Sequence, residues 1–337
     1  MAVRPETSGP DLRGVSIDLE TARVLYMQEN YDLARACCEE LLRRQSNRTD
    51  VLLLLGASCY QMRDTHKCIH YNRQALLLDP DFAEAYGNMA NALKELGDIN
   101  QAIELYQRAI ALNPHFIDAL SNLGAAYMGK EMYPEAIQAY QQTLAQNPNL
   151  PDVQCTLGDL LKHTGDRAGA KRCYTQAIRL KPDYAVAWNN LAGACKDDGD
   201  LQNAVACYRE ALRLEPEFAD ACSNLGNALK EAGFLDDAIA AYQQALRLRP
   251  DFAIALGNLA SVYYEQRQLH LAAQTYRRAV AIMPDFPDAF NNLGNTLKAA
   301  PFPQMAAPPY YGNTLKAMPL PQMAAPPYYG NTLKAMP

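Results

Sequence analysis

No apolar run in this 337-residue sequence is long enough to cross a bilayer; the longest, from Val51 to Ala57, is far too short. The opening MAVRPETSGPDLRG lacks the apolar segment of a secretory signal. Positive charge is not in excess either. Thirty-one Lys and Arg stand against 37 Asp and Glu, a formal charge of -6 scattered along the chain, which argues against a nucleic-acid footprint. The nine cysteines (Cys37, Cys38, Cys59, Cys68, Cys155, Cys173, Cys195, Cys207 and Cys222) form no CxxC pair and no metal-ligand spacing. Odd thiols without a pairing pattern suit a reducing compartment, so a nucleocytoplasmic location without membrane contact is expected. His66 and His70 stand four apart but have no third ligand nearby, so no metal site is expected. There is no phosphate loop, no strand–glycine-loop–helix unit and no catalytic constellation, so neither cofactor nor catalytic residue is expected.

What the sequence does have is a period. Pro80, Pro114, Pro148, Pro182, Pro216, Pro250 and Pro284 recur every 34 residues. Each unit is numbered from the third residue after its proline, so that one unit runs from Ala83 to Phe116. Position 8 is then always small (Ala90, Gly124, Gly158, Ala192, Gly226, Ala260, Gly294). Position 20 is alanine and position 24 tyrosine in the same six units, the tyrosines being Tyr106, Tyr140, Tyr174, Tyr208, Tyr242 and Tyr276. This pattern is that of the tetratricopeptide repeat, TPR, for which a 34-residue unit is characteristic.

The physics of the landmarks predicts two amphipathic helices per unit, about positions 2–14 and 18–30. Gly97, Gly165, Gly199 and Gly233 supply the turn near position 15, where a left-handed backbone is cheap only for glycine. The position-32 proline ends the second helix by removing a donor and restricting its predecessor. Small residues at 8 and 20 let paired helices approach, with the tyrosine beside them; truncating one such ring should cost roughly 3–5 kcal/mol. The expected fold is all-α, a right-handed superhelical solenoid of about eight repeats. Residues 1–14 precede it. The units are 15–48 (degenerate, as a terminal cap should be), 49–82, 83–116, 117–150, 151–184, 185–218, 219–252 and 253–286, with a partial unit at 287–298.

A helix turns about 100° per residue, so positions 2, 6, 9 and 13 share one stripe, opposite the packing positions 4, 8 and 11. First helices line the inner surface of such a stack, which presents that stripe to a ligand. Position 6 is asparagine in Asn88, Asn122, Asn190, Asn224, Asn258 and Asn292; Thr156 and Leu54 interrupt the row. Position 2 is acidic in Glu84, Asp118, Asp152, Asp220 and Asp288, and position 9 adds Asn91, Asn227 and Asn295. An amide donates and accepts at once, so a row of them can hold peptide backbone without reading side chains. The competing reading is that these amides solvate an inner face or bond neighbouring helices. Trp188 and most cysteines occupy packing positions, which suits buried small hydrophobes and packing rings better than reactive groups.

Repeats such as ADACSNLGNALKEAGFLDDAIAAYQQALRLRPDF, and the stretch AEAYGNMANALKELGD, resemble the TPR half of the nucleocytoplasmic protein O-linked N-acetylglucosamine transferases, the plant-type branch most. The resemblance covers about residues 15–298. It implies that the position-6 asparagines hold substrate polypeptide, with Asp118, Asp152, Asp220 and Asp288 as a secondary set. That family's catalytic lobes follow its repeats and are not found here, so substrate recognition is implied, not transfer; N-acetylglucosamine and fucose branches are not separated. The alternative is a stand-alone adaptor or co-chaperone-like assembly protein. A carboxylate clamp would need a basic residue at position 5, where Leu53, Gly87, Ser121, Cys155, Asn189, Ser223, Gly257 and Asn291 stand. Self-association through the outer surface is compatible with the pattern, although no residue specifies it.

After Lys298 the pattern stops within a unit. GNTLKAAPFPQMAAPPYY (294–311) is followed by GNTLKAMPLPQMAAPPYY (312–329), an 18-residue duplication. Nine prolines in residues 299–337 favour polyproline-type disorder. PPYY at Pro308–Tyr311 and Pro326–Tyr329 fits the motif gripped by WW domains; the reading preferred is a duplicated segment in place of true downstream sequence. The last helix, from about Pro287, then lacks its partner, with Leu293 and Leu297 open to water.

Overall fold

The structure, a computed structural model, describes residue 12 and residues 16–299. The expected N-terminal segment falls mostly outside the described residues, and the duplicated PPYY tail lies beyond them. The described residues form helices that pack in consecutive pairs. The pairs are α1 (Leu19–Met27) with α2 (Tyr31–Arg44), α3 (Thr49–Gln61) with α4 (Thr65–Leu78), and α5 (Ala83–Glu95) with α6 (Ile99–Leu112). They continue with α7 (Ile117–Gly129) and α8 (Tyr133–Gln146), α9 (Pro151–His163) and α10 (Arg167–Leu180), and α11 (Ala185–Asp197) and α12 (Leu201–Leu214). Then come α13 (Ala219–Glu231) with α14 (Leu235–Leu248), α15 (Ala253–Glu265) with α16 (Leu269–Ile282), and the unpaired α17 (Pro287–Ala299). The chain is a TPR solenoid. No helix among the described residues is long and apolar enough to cross a membrane.

From α2 onward each helix begins one residue earlier than the periodicity predicts, the three-residue turn between partners falling at positions 14–16. Position 15 has a left-handed backbone in all eight units: Gly97, Gly165, Gly199 and Gly233, but also Glu29, Arg63, Glu131 and Arg267 at φ 58–62°. Glycine is therefore favoured there without being required. The residue after it closes a six-residue ring typical of helix ends, as where Asp98 N donates to Leu93 O at 3.0 Å. The same residue then starts the second helix. The Asp64, Asp98, Asp166 and Asp200 side chains accept from backbone nitrogens three residues on. At the far end, position 31 is extended before each proline (Asn113, φ -128°, ψ 91°), as the proline ring demands.

The core follows the landmarks. Tyr106, Tyr140, Tyr174, Tyr208, Tyr242 and Tyr276 are all buried. Gly124, Gly158 and Gly226 at position 8 lie against the tyrosine ring of their own unit: a Cβ on Gly158 or Gly226 would come within 2.6 Å of Tyr174 or Tyr242. In the 49–82 unit position 24 is Asn72, fully buried; it donates to Cys68 O at 2.8 Å, but its Oδ1 has no partner. Seven cysteines are buried and Cys173 and Cys207 half-buried; burial pushes the thiols of Cys38, Cys68 and Cys155 up to about 12, which leaves them packing groups.

First helices also touch the first helix of the next unit (α1 with α3, α3 with α5, α5 with α7, and α9 through α17 in turn), whereas second helices do not touch one another in this way. The stack is tightest along its first-helix side. The approach is loosest between α7 and α9.

Candidate functional site

The first-helix side carries the asparagine row. Asn88, Asn122, Asn190, Asn224 and Asn258 are half-buried there, and Asn292 on the unpaired α17 is exposed. Most are tied to the preceding repeat. Asn190 Nδ2 donates to Asp159 Oδ1 at 3.0 Å, Asn258 Nδ2 to Asn227 Oδ1 at 2.9 Å, and Asn224 Nδ2 to Asn189 Oδ1 at 3.1 Å. Lys94 Nζ donates to Asn122 Oδ1 at 3.2 Å, and Asn292 bonds the Tyr276 hydroxyl. Asn88 has no side-chain hydrogen bond among the described residues. The reading in which these amides bond neighbouring helices is thus part of the geometry. The side-chain oxygens of Asn224 and Asn258 have no hydrogen-bond partner among the described residues.

Position 9 is the hub of two of these links, at Asp159 and Asn227. Asp159 Oδ1 also accepts the Tyr174 hydroxyl at 2.7 Å, Asn227 Oδ1 that of Tyr242 at 2.7 Å, and Asn91 Oδ1 that of Tyr106 at 2.5 Å. At Asp159 and Asn227 one oxygen on the inner face thereby joins a core tyrosine to the surface amide row. Among the described residues the complete tyrosine–oxygen–amide link forms at Asp159 and at Asn227; between α7 and α9 the amide row makes no link of any kind, since position 9 is Ala125 and position 6 of the next unit is Thr156, which turns back to Asp152 O at 3.0 Å. Asp159 keeps an open face, but the protein around it raises its carboxyl pKa by desolvation, against the lowering effect of Tyr174, Lys162 and Asn190.

Of the expected secondary set, Asp220 is taken by Arg249 of its own unit, with Nη2 at 2.7 Å from Oδ2, and Asp152 bonds the Tyr184 hydroxyl. Asp118 and Asp288 are exposed. Position 2 therefore splits between links within a repeat and open carboxylates.

A second series lies beside the amides and is not visible position by position. Lys94, Lys162, Lys196 and Lys230 occupy position 12, and the carboxylates Glu95, Asp197, Glu231 and Glu265 occupy position 13. Lys162 pairs with Asp197 at 2.9 Å, Lys196 with Glu231 at 3.3 Å and Lys230 with Glu265 at 2.9 Å. Each pair is 35 residues apart, one repeat plus one residue, and that spacing is the signal the sequence offered. No group of three or more His, Cys, Asp or Glu among the described residues could hold a metal ion.

A stack of two-helix units with a polar, amide-rich first-helix side defines a protein of the TPR class, whose fold generally serves protein–protein interaction. Residues 82–280 match the family described as the Cilia and flagella-associated protein 70 C-terminal domain, and the chain belongs to that family. Among curated proteins it is 48% identical over 80 residues to the Arabidopsis thaliana "Probable UDP-N-acetylglucosamine--peptide N-acetylglucosaminyltransferase SEC", and 41% identical over 92 residues to the Caenorhabditis elegans UDP-N-acetylglucosamine--peptide N-acetylglucosaminyltransferase. Those matches cover 24% and 26% of this chain, and the chain spans 8% of the length of each relative. Among solved structures, the APC/C hetero-tetramer Cut9-Hcn1 aligns over 84% of this chain and 57% of its own, at TM-score 0.56 and 21% identity. That likeness is one of fold.

Proposed function

We propose that the chain is an interaction scaffold that holds extended polypeptide in a concave groove along its first-helix side, against Asn88, Asn122, Asn190, Asn224, Asn258 and Asn292. The observation that carries this reading is the half-committed state of the amides. Asn224 and Asn258 have their side-chain nitrogens fixed by the preceding repeat and their side-chain oxygens unpartnered among the described residues. An acceptor oriented before the ligand arrives loses little entropy on taking a backbone N–H, and these two stand one unit apart, where an extended chain can meet both. Asp118 and Asp288 would add negative rims.

The finer reading is that these repeats are the substrate-recognition half of a UDP-sugar-dependent protein O-glycosyltransferase acting in the nucleocytoplasmic compartment. It is supported by the local identity to two peptide N-acetylglucosaminyltransferases. Catalysis would belong to segments other than these repeats.

The test uses an unstructured, fluorescein-labelled Ser/Thr-rich peptide and the full chain. Asn88→Ala, which breaks no link to a neighbouring repeat, and Asn224→Ala should each weaken binding by about 1 kcal/mol, roughly fivefold. Unchanged affinity in both variants, with melting temperatures intact, would sink the groove reading. For the finer one, an antibody to the repeats should detect in native cells a protein much heavier than 37.3 kDa.

A further inference from the structure

The ion-pair series on the first-helix side has one gap. Lys162, Lys196 and Lys230 each reach a carboxylate 35 residues on, whereas the residue 35 beyond Lys94 is Gly129. The half-buried Lys94 ammonium reaches only the Asn122 amide oxygen, at 3.2 Å. Its sequence neighbour Glu95 is engaged elsewhere, with Arg63 at 3.0 Å and the Tyr60 hydroxyl. The place of the missing carboxylate is vacant: a Cβ built on Gly129 meets nothing within 4 Å. Crowding by the surrounding protein lowers the Lys94 pKa, and the neighbouring Glu95 charge offsets this only in part.

We infer that the step between Lys94 and Gly129 is a seat for a ligand carboxylate, an Asp or Glu side chain of the polypeptide lying in the groove. This rests on the groove reading above and adds a register to it. The amide row by itself takes backbone without regard to sequence; Lys94 fixes where along the solenoid an acidic residue falls. Beside Lys162, Lys196 and Lys230 the protein's own carboxylate fills the equivalent place and leaves no such preference. A charge-assisted bond from Lys94, with Asn122 beside it, is the strongest single polar contact this stretch of the face can offer.

The experiment scans one Glu through an unstructured, fluorescein-labelled Ser/Thr-rich peptide of about 15 residues, long enough to cross several repeats when extended. A matched series carries Gln at each place. Anisotropy titrations with the full chain should find one register at which Glu binds about tenfold tighter than Gln, a preference that shrinks with salt. Gly129→Glu supplies the missing carboxylate from within and should abolish the preference, while Gly129→Gln, of the same size, keeps it. Lys94→Met should abolish it too, and Lys196→Met, whose lysine is already paired, should not. Binding of both series with no Glu preference overturns this inference and leaves the groove reading standing. A preference that survives in Gly129→Glu overturns it equally. Absence of binding by any peptide removes both.

Discussion

The side-chain nitrogen of Asn258 donates across a repeat boundary to Asn227 Oδ1 at 2.9 Å, and the same oxygen accepts the Tyr242 hydroxyl at 2.7 Å. One atom therefore ties α14 to α13 and α13 to α15. Asn258→Ala should cost about 1 kcal/mol and Asn227→Ala about 1–3 kcal/mol, since the second leaves the Tyr242 hydroxyl without its acceptor. A double-mutant cycle read by urea denaturation should return a coupling of at least about 0.5 kcal/mol. Strict additivity would mean that the amide row does not connect the repeats energetically.

Two glycine-to-alanine changes should have opposite signs. Gly226→Ala drives a Cβ to 2.6 Å from the Tyr242 ring and should destabilise by about 1–3 kcal/mol. Gly129→Ala adds its methyl to open space and should stabilise by up to about 1 kcal/mol by lowering the entropy of the unfolded chain. Thermal melts of the two variants beside the parent decide both.

The position-15 turn offers a matched pair. Gly97→Ala places a side chain at φ 86° and should cost about 1 kcal/mol or more. Glu131→Gly relieves the same strain at φ 58° but loosens the unfolded chain, so a net change under about 1 kcal/mol is expected. A large loss in Glu131→Gly would assign the Glu131 side chain a role beyond the turn.

Asp159 provides a pH signature. A carboxyl whose folded pKa lies above the ordinary 3.8 holds its proton more tightly in the native state. Its contribution to stability is fully present below 3.8 and is lost as pH rises through the folded value. Asp159→Asn keeps an acceptor for Tyr174 and Asn190 and copies Asn91 and Asn227, which do the same work at position 9. This variant should be more stable than the parent at pH 7, with a flatter stability profile just above pH 3.8. Lower stability at pH 7 would mean that the anion is favoured by its two donors and Lys162.

Pro80 through Pro284 made the architecture legible, because each landmark is a steric or backbone requirement that acts within one repeat. The 34-residue period predicted the paired helices, the buried tyrosines and four of the turns. Glu29, Arg63, Glu131 and Arg267 escaped, since a left-handed residue that is not glycine leaves no mark in residue type. The amide links were unreadable for a different reason. They join Asn190 to Asp159 and Asn258 to Asn227, offsets of 31 residues that depend on how neighbouring units are rotated. The lysine pairs at an offset of 35 were present in the sequence throughout, but only as a relation between two columns and never within one.

Ala125 and Thr156 leave the α7–α9 boundary without a side-chain hydrogen bond between successive first helices, at the place where their approach is loosest. Mechanically the solenoid is then a spring with one soft coil. A load along its length, from a long ligand gripped at several repeats or from a partner pulling on either end, would be taken up first as bending at this coil. The segments before and after it would keep their own spacing of amides, and the distance between the two stretches of the row would be the quantity that changes.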